Sequence, residues 1–139
     1  MAVTPYFLDA LFVLATLNKR DQWHSKAVRL QKTLDAQKQR FVTTEFALTE
    51  IGDGLSTIRF REIAATAIRS LINDKSVTVV PASTDLFRSG LGLFESRNDK
   101  AWGLTDCISF VVMTDFKIRD ALTTDGDFRQ AGFNALMLD

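Results

Sequence analysis

The stretch from Phe60 to Pro81, FREIAATAIRSLINDKSVTVVP, decides the fold. Ile63, Ala64, Ala67, Ile68 and Leu71 recur at the spacing of one helix face, while Arg59, Arg61, Glu62 and Arg69 point elsewhere. That periodicity predicts a helix over Phe60–Asn73. Val77-Thr78-Val79-Val80 is β-branched throughout and stops at Pro81, which predicts a strand. A helix followed closely by a strand is the repeating unit of an α/β chain.

The same alternation appears on both sides. Residues 4–9 read as a short buried strand, with Pro5 tolerated only near its start. Leu11, Leu14, Ala15 and Asn18 then follow helical spacing, and residues 22–38 form a second helix with Ala27, Leu30 and Leu34 on one face. Phe41-Val42-Thr43 is a second strand, and Thr44 can cap the helix running to Gly52 or Leu55. After Pro81, Ser83 or Thr84 caps a helix holding Leu86, Phe87, Leu91 and Phe94. Ser96–Asp99 is a loop, and Thr105–Phe116 is an apolar core helix. Residues 119–124 are a fourth strand, Asp127–Ala131 a short helix, and Ala135–Leu138 a fifth strand. The expected fold class is α/β: a mainly parallel five-stranded sheet flanked by helices on both faces, a three-layer sandwich.

The 139 residues suit one domain over residues 1–139. Apolar residues make up 46 %, with 11 Phe to fill a core. Lys and Arg total 17 against 17 Asp and Glu, so no global basic field draws in nucleic acid. That excludes a sequence-independent coat for DNA, but not an enzyme that meets phosphate through a metal. The lone cysteine, Cys107, permits no internal disulfide and suits a reducing compartment. No signal peptide and no membrane span is evident, so a cytoplasmic location is expected.

Four acids stand where strands give way to helices. Asp9 closes Tyr6-Phe7-Leu8-Asp9, Glu50 closes Thr43–Glu50, Asp106 opens a core helix, and Asp125 ends Ala121–Asp125. In a parallel sheet those edges meet outside the carboxyl ends of the strands, where ligands bind. Carboxylates gathered there repel one another, and a divalent cation is the usual compensation. Singly, each has a plain alternative: Asp9 and Asp125 as helix caps, Asp106 as a first-turn acid favoured by the helix dipole. Glu50 lies off the apolar face set by Leu48, Ile51 and Leu55, and periodicity does not choose it over Glu45.

Taken in order, the motifs resemble the PIN domain family, in particular VapC-type toxins of bacterial toxin–antitoxin pairs. Tyr6-Phe7-Leu8-Asp9 with the following helix and Asn18–His24 looks like the first acidic motif. Thr43–Glu50 looks like the second, whose last glutamate is functional, which selects Glu50. Trp102-Gly103-Leu104-Thr105-Asp106-Cys107 looks like the third, and Leu122–Phe128 with Gln130–Phe133 the fourth. The resemblance implies a PIN-like sandwich that hydrolyses RNA phosphodiesters with Mg2+ or Mn2+ held by Asp9, Glu50, Asp106 and Asp125. It also implies a cognate antitoxin and a homodimer, for which the Phe60–Asn73 helix and the one before it offer apolar surface. Two positions depart from the family pattern: Ala10 replaces a small hydroxyl residue, and Asp127 stands where close relatives often carry histidine.

Around these, Thr123 can donate a hydrogen bond to a ligating carboxylate. Asp99 can hold the loop beside the site, and Asp127 can add a fifth carboxylate, although water is its expected partner. Arg59, Arg61, Arg97 and Lys100 are candidate phosphate contacts on an otherwise solvated surface. Trp102, His24 and Cys107 read as structural. The sequence has no Gly-rich phosphate loop and no paired Cys/His metal spacing. Competing readings are a catalytically weak or inactive PIN-like module that binds RNA or protein, motivated by Ala10, and a phosphorylated receiver domain. The latter lacks an acidic pair at Asp9 and a lysine after residue 119.

Overall fold

In the computed structural model, which describes residues 4–139, the predicted alternation folds into one sheet. In chain order come β1 (Tyr6–Leu8), α1 (Ala10–Leu17), α2 (His24–Ala36), β2 (Phe41–Thr44) and α3 (Glu45–Gly54). There follow α4 (Arg61–Asn73), β3 (Val77–Val80), α5 (Thr84–Ser96), α6 (Leu104–Asp115), β4 (Asp120–Leu122), α7 (Asp127–Gln130) and β5 (Asn134–Ala135). All four strand pairings are parallel. The fold is thus an all-parallel five-stranded α/β sandwich.

Side chains alternate along the strands and divide the core in two. Leu8 and Leu122 join a cluster with Phe12, Ala15, Ala27, Leu34, Leu48 and Ile51, from α1, α2 and α3. Phe7, Val42 and Ala121 face the other way, onto Cys107, Phe110 and Met113 of α6 and Phe128 of α7. On that second face α5 and α6 touch at Gly90, where an added Cβ would collide with Ile108 Cγ1 and stand 3.1 Å from Ile108 Cα. Only glycine permits so close an approach.

Local signals set several element starts as expected. Thr44 Oγ1 accepts from Ala47 N at 2.9 Å, and Ser83 Oγ accepts from Leu86 N at 3.0 Å. Two outcomes differ from the sequence reading. The fifth strand is confined to Asn134–Ala135, and Leu136–Leu138 is a 3-10 turn. Met137 N donates to Thr123 O at 3.3 Å and its side chain is fully buried, so the chain curls over the end of β4. On α4 only Ala64 is buried, while Ile63 and Ile72 stay 45 % and 55 % exposed. Its apolar face is only partly covered by this chain, and a groove of about 720 Å³ runs between it, α1 and α2.

Strand order is β3-β2-β1-β4-β5. The chain winds from β1 outward to β3, returns to β4 on the other side of β1, and ends at β5. The direction of winding therefore reverses between β1 and β4, which opens a crevice at their carboxyl ends. Asp9 directly follows β1, and Asp125 lies three residues after β4.

Among the described residues no helix is long and apolar enough to cross a membrane.

Candidate active site

Asp9 stands at the N-cap of α1, yet its carboxylate makes no capping bond. Its Oδ2 instead accepts from Thr123 Oγ1 at 2.7 Å. The same hydroxyl oxygen accepts from Asp125 N at 3.0 Å. Thr123 is fully buried, so one hydroxyl ties the acid after β1 to the backbone of the acid after β4.

Asp106 enters from the first turn of α6, where its Oδ2 accepts from Gly103 N at 3.1 Å. Asp127 N donates to Asp125 Oδ1 at 2.9 Å, a turn that folds the chain back on itself. Carboxylate oxygens of Asp106, Asp125 and Asp127 consequently lie within 4.8 Å of one another. Asp9 and Glu50 face this trio at longer range and respond to its charge.

The electrostatic cost of this gathering is visible in the titration of its members. Burial pushes Asp9 up to about 7, helped by Glu50, Asp106 and Asp125, with the Thr123 bond pulling the other way. Burial likewise lifts Glu50 to about 7, aided by Asp106, Asp53 and Asp125. Asp106 rises to about 6 through burial and Asp125, against the Gly103 amide. Asp127 is raised by burial and by Asp125. No lysine or arginine is among the groups acting on these four acids. A cluster of this kind takes up either protons or a cation. Its donors are all carboxylate oxygens, a set that suits hard cations such as Mg2+ or Mn2+ rather than zinc.

The near-neutral balance of the chain conceals this polarity. Asp9, Glu50, Asp53, Asp106, Asp125 and Asp127 are six of the 17 acids, which leaves 11 against 17 Lys and Arg elsewhere. Outside the cluster the chain thus carries six more basic than acidic groups.

Structure separates Glu45 from Glu50. Glu45 Oε1 accepts from Ala82 N at 2.6 Å and so holds the turn after β3. Glu50 is half-buried and turned toward the cluster, although it lies off the main apolar face of α3. Asp127, expected to face water, keeps much of its exposure, while the Asp125 turn also brings it within reach of Asp106 and Asp125. Asp99 is drawn off by Arg97, whose Nε and Nη2 reach its two oxygens at 3.0 and 3.1 Å on the surface. Arg61 is engaged with Ser56 O, and Arg59 lies over the Phe60 ring, so neither is drawn into the acidic cluster. Lys100 shares the surface loop of Asp99 and acts on its charge. His24 Nδ1 is bonded to Ala15 O at 2.8 Å, and Cys107 is buried in the core. Ala10 is buried too, and the hydroxyl that contacts Asp9 is that of Thr123.

Asp53 escaped the sequence reading. It raises Glu50 from one helical turn away, and that i, i+3 spacing was the available signal.

No protein-family model matches this chain, and no curated protein matches it. Among solved structures it is similar to VapC20 of Mycobacterium tuberculosis, a sarcin-ricin loop cleaving toxin, with a TM-score of 0.79 and 29 % sequence identity. That match covers 92 % of this chain and 95 % of the other. It also shares its fold with a chain of VapBC2 from Rickettsia felis bound to a promoter DNA fragment: TM-score 0.63, 14 % identity, 94 % and 95 % coverage. This agreement in fold and sequence over nearly the whole length supports the resemblance of the chain to PIN-domain proteins of the VapC type.

Proposed function

We propose that this chain, acting as a single domain in the cytoplasm, is a metal-dependent endoribonuclease and the toxin half of a toxin–antitoxin pair. The observation that carries the reading is the set of uncompensated carboxylates at the switch point of the sheet. The likeness to an RNA-cleaving toxin gives it direction.

Asp106, Asp125 and Asp127 would hold Mg2+ or Mn2+ directly, with Asp9 and Glu50 reaching it from the facing side, directly or through water. When bound, such a cation supplies Lewis-acid chemistry, drawing off charge that builds on a phosphodiester under attack by water. Thr123 keeps Asp9 and Asp125 in register through its two hydrogen bonds. Gly103 N fixes one oxygen of Asp106 and leaves the other for the cation. Without a cation, burial and the neighbouring Asp106, Asp53 and Asp125 lift Glu50 to about 7; with a cation bound that repulsion would be offset and Glu50 held ionised, able to accept a proton from the attacking water. The positive charge outside the cluster serves RNA phosphates.

A cognate antitoxin restrains the enzyme, and the partly covered apolar face of α4 belongs to a homodimer. Sedimentation at the monomer mass up to high concentration would remove the dimer from this picture.

Induced expression of the chain in a bacterium tests the toxin reading. Growth should arrest, and Glu50→Gln or Asp106→Asn should restore it at equal protein level. Calorimetry should show Mn2+ binding to the parent and at least tenfold weaker binding to Asp106→Asn. Arrest that persists in both variants, or a parent that binds no Mn2+, would reject the reading.

A further inference from the structure

The helix α7 (Asp127–Gln130) is a single turn, too short to hold itself in water. It nevertheless carries Asp127 and keeps it against Asp106, which belongs to another helix. These acids repel one another, so something other than their own contacts must hold the two elements in place.

Three contacts supply that restraint. Phe128, fully buried, stands edge-on to Phe110 of α6 with centroids 5.0 Å apart and planes at 87°. Trp102 stands edge-on to the same Phe110 ring at 5.1 Å and 79°. Trp102 Nε1 then donates to Gln130 Oε1 at 3.2 Å. Among the described residues this is the one hydrogen bond between the segment leading into α6 and α7. Trp102 immediately precedes Gly103, whose amide holds Asp106. Gln130 lies three residues after Asp127. Ring stack and indole bond together close a frame around the gap between the acids.

We propose that Trp102 and Gln130 are positioning residues that set the separation of Asp106 from Asp125 and Asp127, and with it the affinity of the trio for its cation. The affinity part rests on reading the trio as cation ligands. A buried indole N–H requires an acceptor. Gln130 is itself exposed, so water can take over that role when the side chain is shortened or made apolar. The fold then survives while the tie is lost.

The test uses Trp102→Phe, which keeps a ring against Phe110, together with Gln130→Met and the double variant. Each is titrated with Mn2+ by calorimetry and followed in EDTA by amide hydrogen exchange. Each single change should weaken Mn2+ binding about tenfold, the size typical of groups that orient metal ligands. The double change should cost no more than the worse single one, because the same bond is lost. In EDTA the Phe128 and Ala131 amides of the α7 turn should exchange faster in all three variants, while the Ala64 amide of α4 stays unchanged.

Mn2+ affinity within twofold of the parent in both single variants would overturn the proposal, leaving Trp102 a core ring only. Losses that add in the double variant would overturn it as well. A parent that binds no Mn2+ would end the nuclease reading of the site. The exchange data in EDTA then decide the brace alone: faster exchange supports it, and unchanged exchange removes it.

Discussion

Replacing Asp9 by Asn should stabilise the metal-free protein at alkaline pH. The change removes one negative charge from a buried position and keeps an oxygen to accept the Thr123 hydroxyl. Burial, with Glu50, Asp106 and Asp125, lifts Asp9 from an ordinary 3.8 to about 7. The folded chain therefore keeps a proton that the unfolded chain releases above about pH 4. The contribution of this carboxyl to stability is full below that pH and is lost as pH rises to about 7. At roughly 1.4 kcal/mol per pKa unit the loss is bounded near 4 kcal/mol, and sharing among the coupled acids brings it to about 2–4 kcal/mol. Unfolding entropy for a chain of this size is roughly 0.3 kcal/mol per kelvin. By calorimetry in EDTA, the Asn variant should melt about 7–13 °C above the parent at pH 8, and no more than about 3 °C above it at pH 4.5. Mn2+ at a hundredfold excess over Kd stabilises the parent by about 2.7 kcal/mol and should close most of that gap, and a thousandfold excess, worth about 4.1 kcal/mol, should reverse the order. A variant that melts below the parent at pH 8 in EDTA, or by the same offset at both pH values, would refute the electrostatic reasoning.

Other outcomes follow from single contacts. Thr123→Val keeps the shape of a buried residue but removes the bond to Asp9 and the acceptor of Asp125 N. It should cost about 2–3 kcal/mol in urea unfolding at pH 8 and distinctly less at pH 4.5, where Asp9 is neutral and the bond weaker. Gly90→Ala drives a Cβ into Ile108, including its backbone, and should lower stability in urea unfolding by about 1–3 kcal/mol. Lys117 sits at φ 56° after α6. Lys117→Gly should raise the urea midpoint by an amount equal to a few tenths up to about 1 kcal/mol, and a lowered midpoint would show that its side chain matters more than its backbone.

Much of this was legible in the chain because its signals are local. Thr44 and Ser83 announce helix starts through hydroxyls that act within three residues. The β-branched run Val77–Val80 needs no partner to be read as a strand. Strand order was not legible, because the return from β3 to β4 beside β1 is a long-range choice with no local mark. Nor was the brevity of β5, which depends on Met137 reaching Thr123.

At the site, Asp9, Asp106 and Asp125 could be found from their places at element edges. Glu50 could not: helical periodicity turns it away from the apolar face, and only the resemblance to a family singled it out. Asp127 joins the trio through a turn set by the Asp125 carboxylate, a side-chain bond that hydropathy does not encode. The pairing of Trp102 with Gln130 joins residues 28 apart and left no trace in spacing.

Cleavage of RNA by purified protein tests the central claim most directly. Antitoxin-free parent and Asp9→Asn would be incubated with ribosomal RNA and with a sarcin-ricin loop fragment, across Mg2+ and Mn2+ titrations and with EDTA. The account predicts cleavage by the parent that needs the cation, and none by Asp9→Asn although its metal-free fold is the more stable. Cleavage that survives EDTA, or that Asp9→Asn performs at the parental rate, would contradict it.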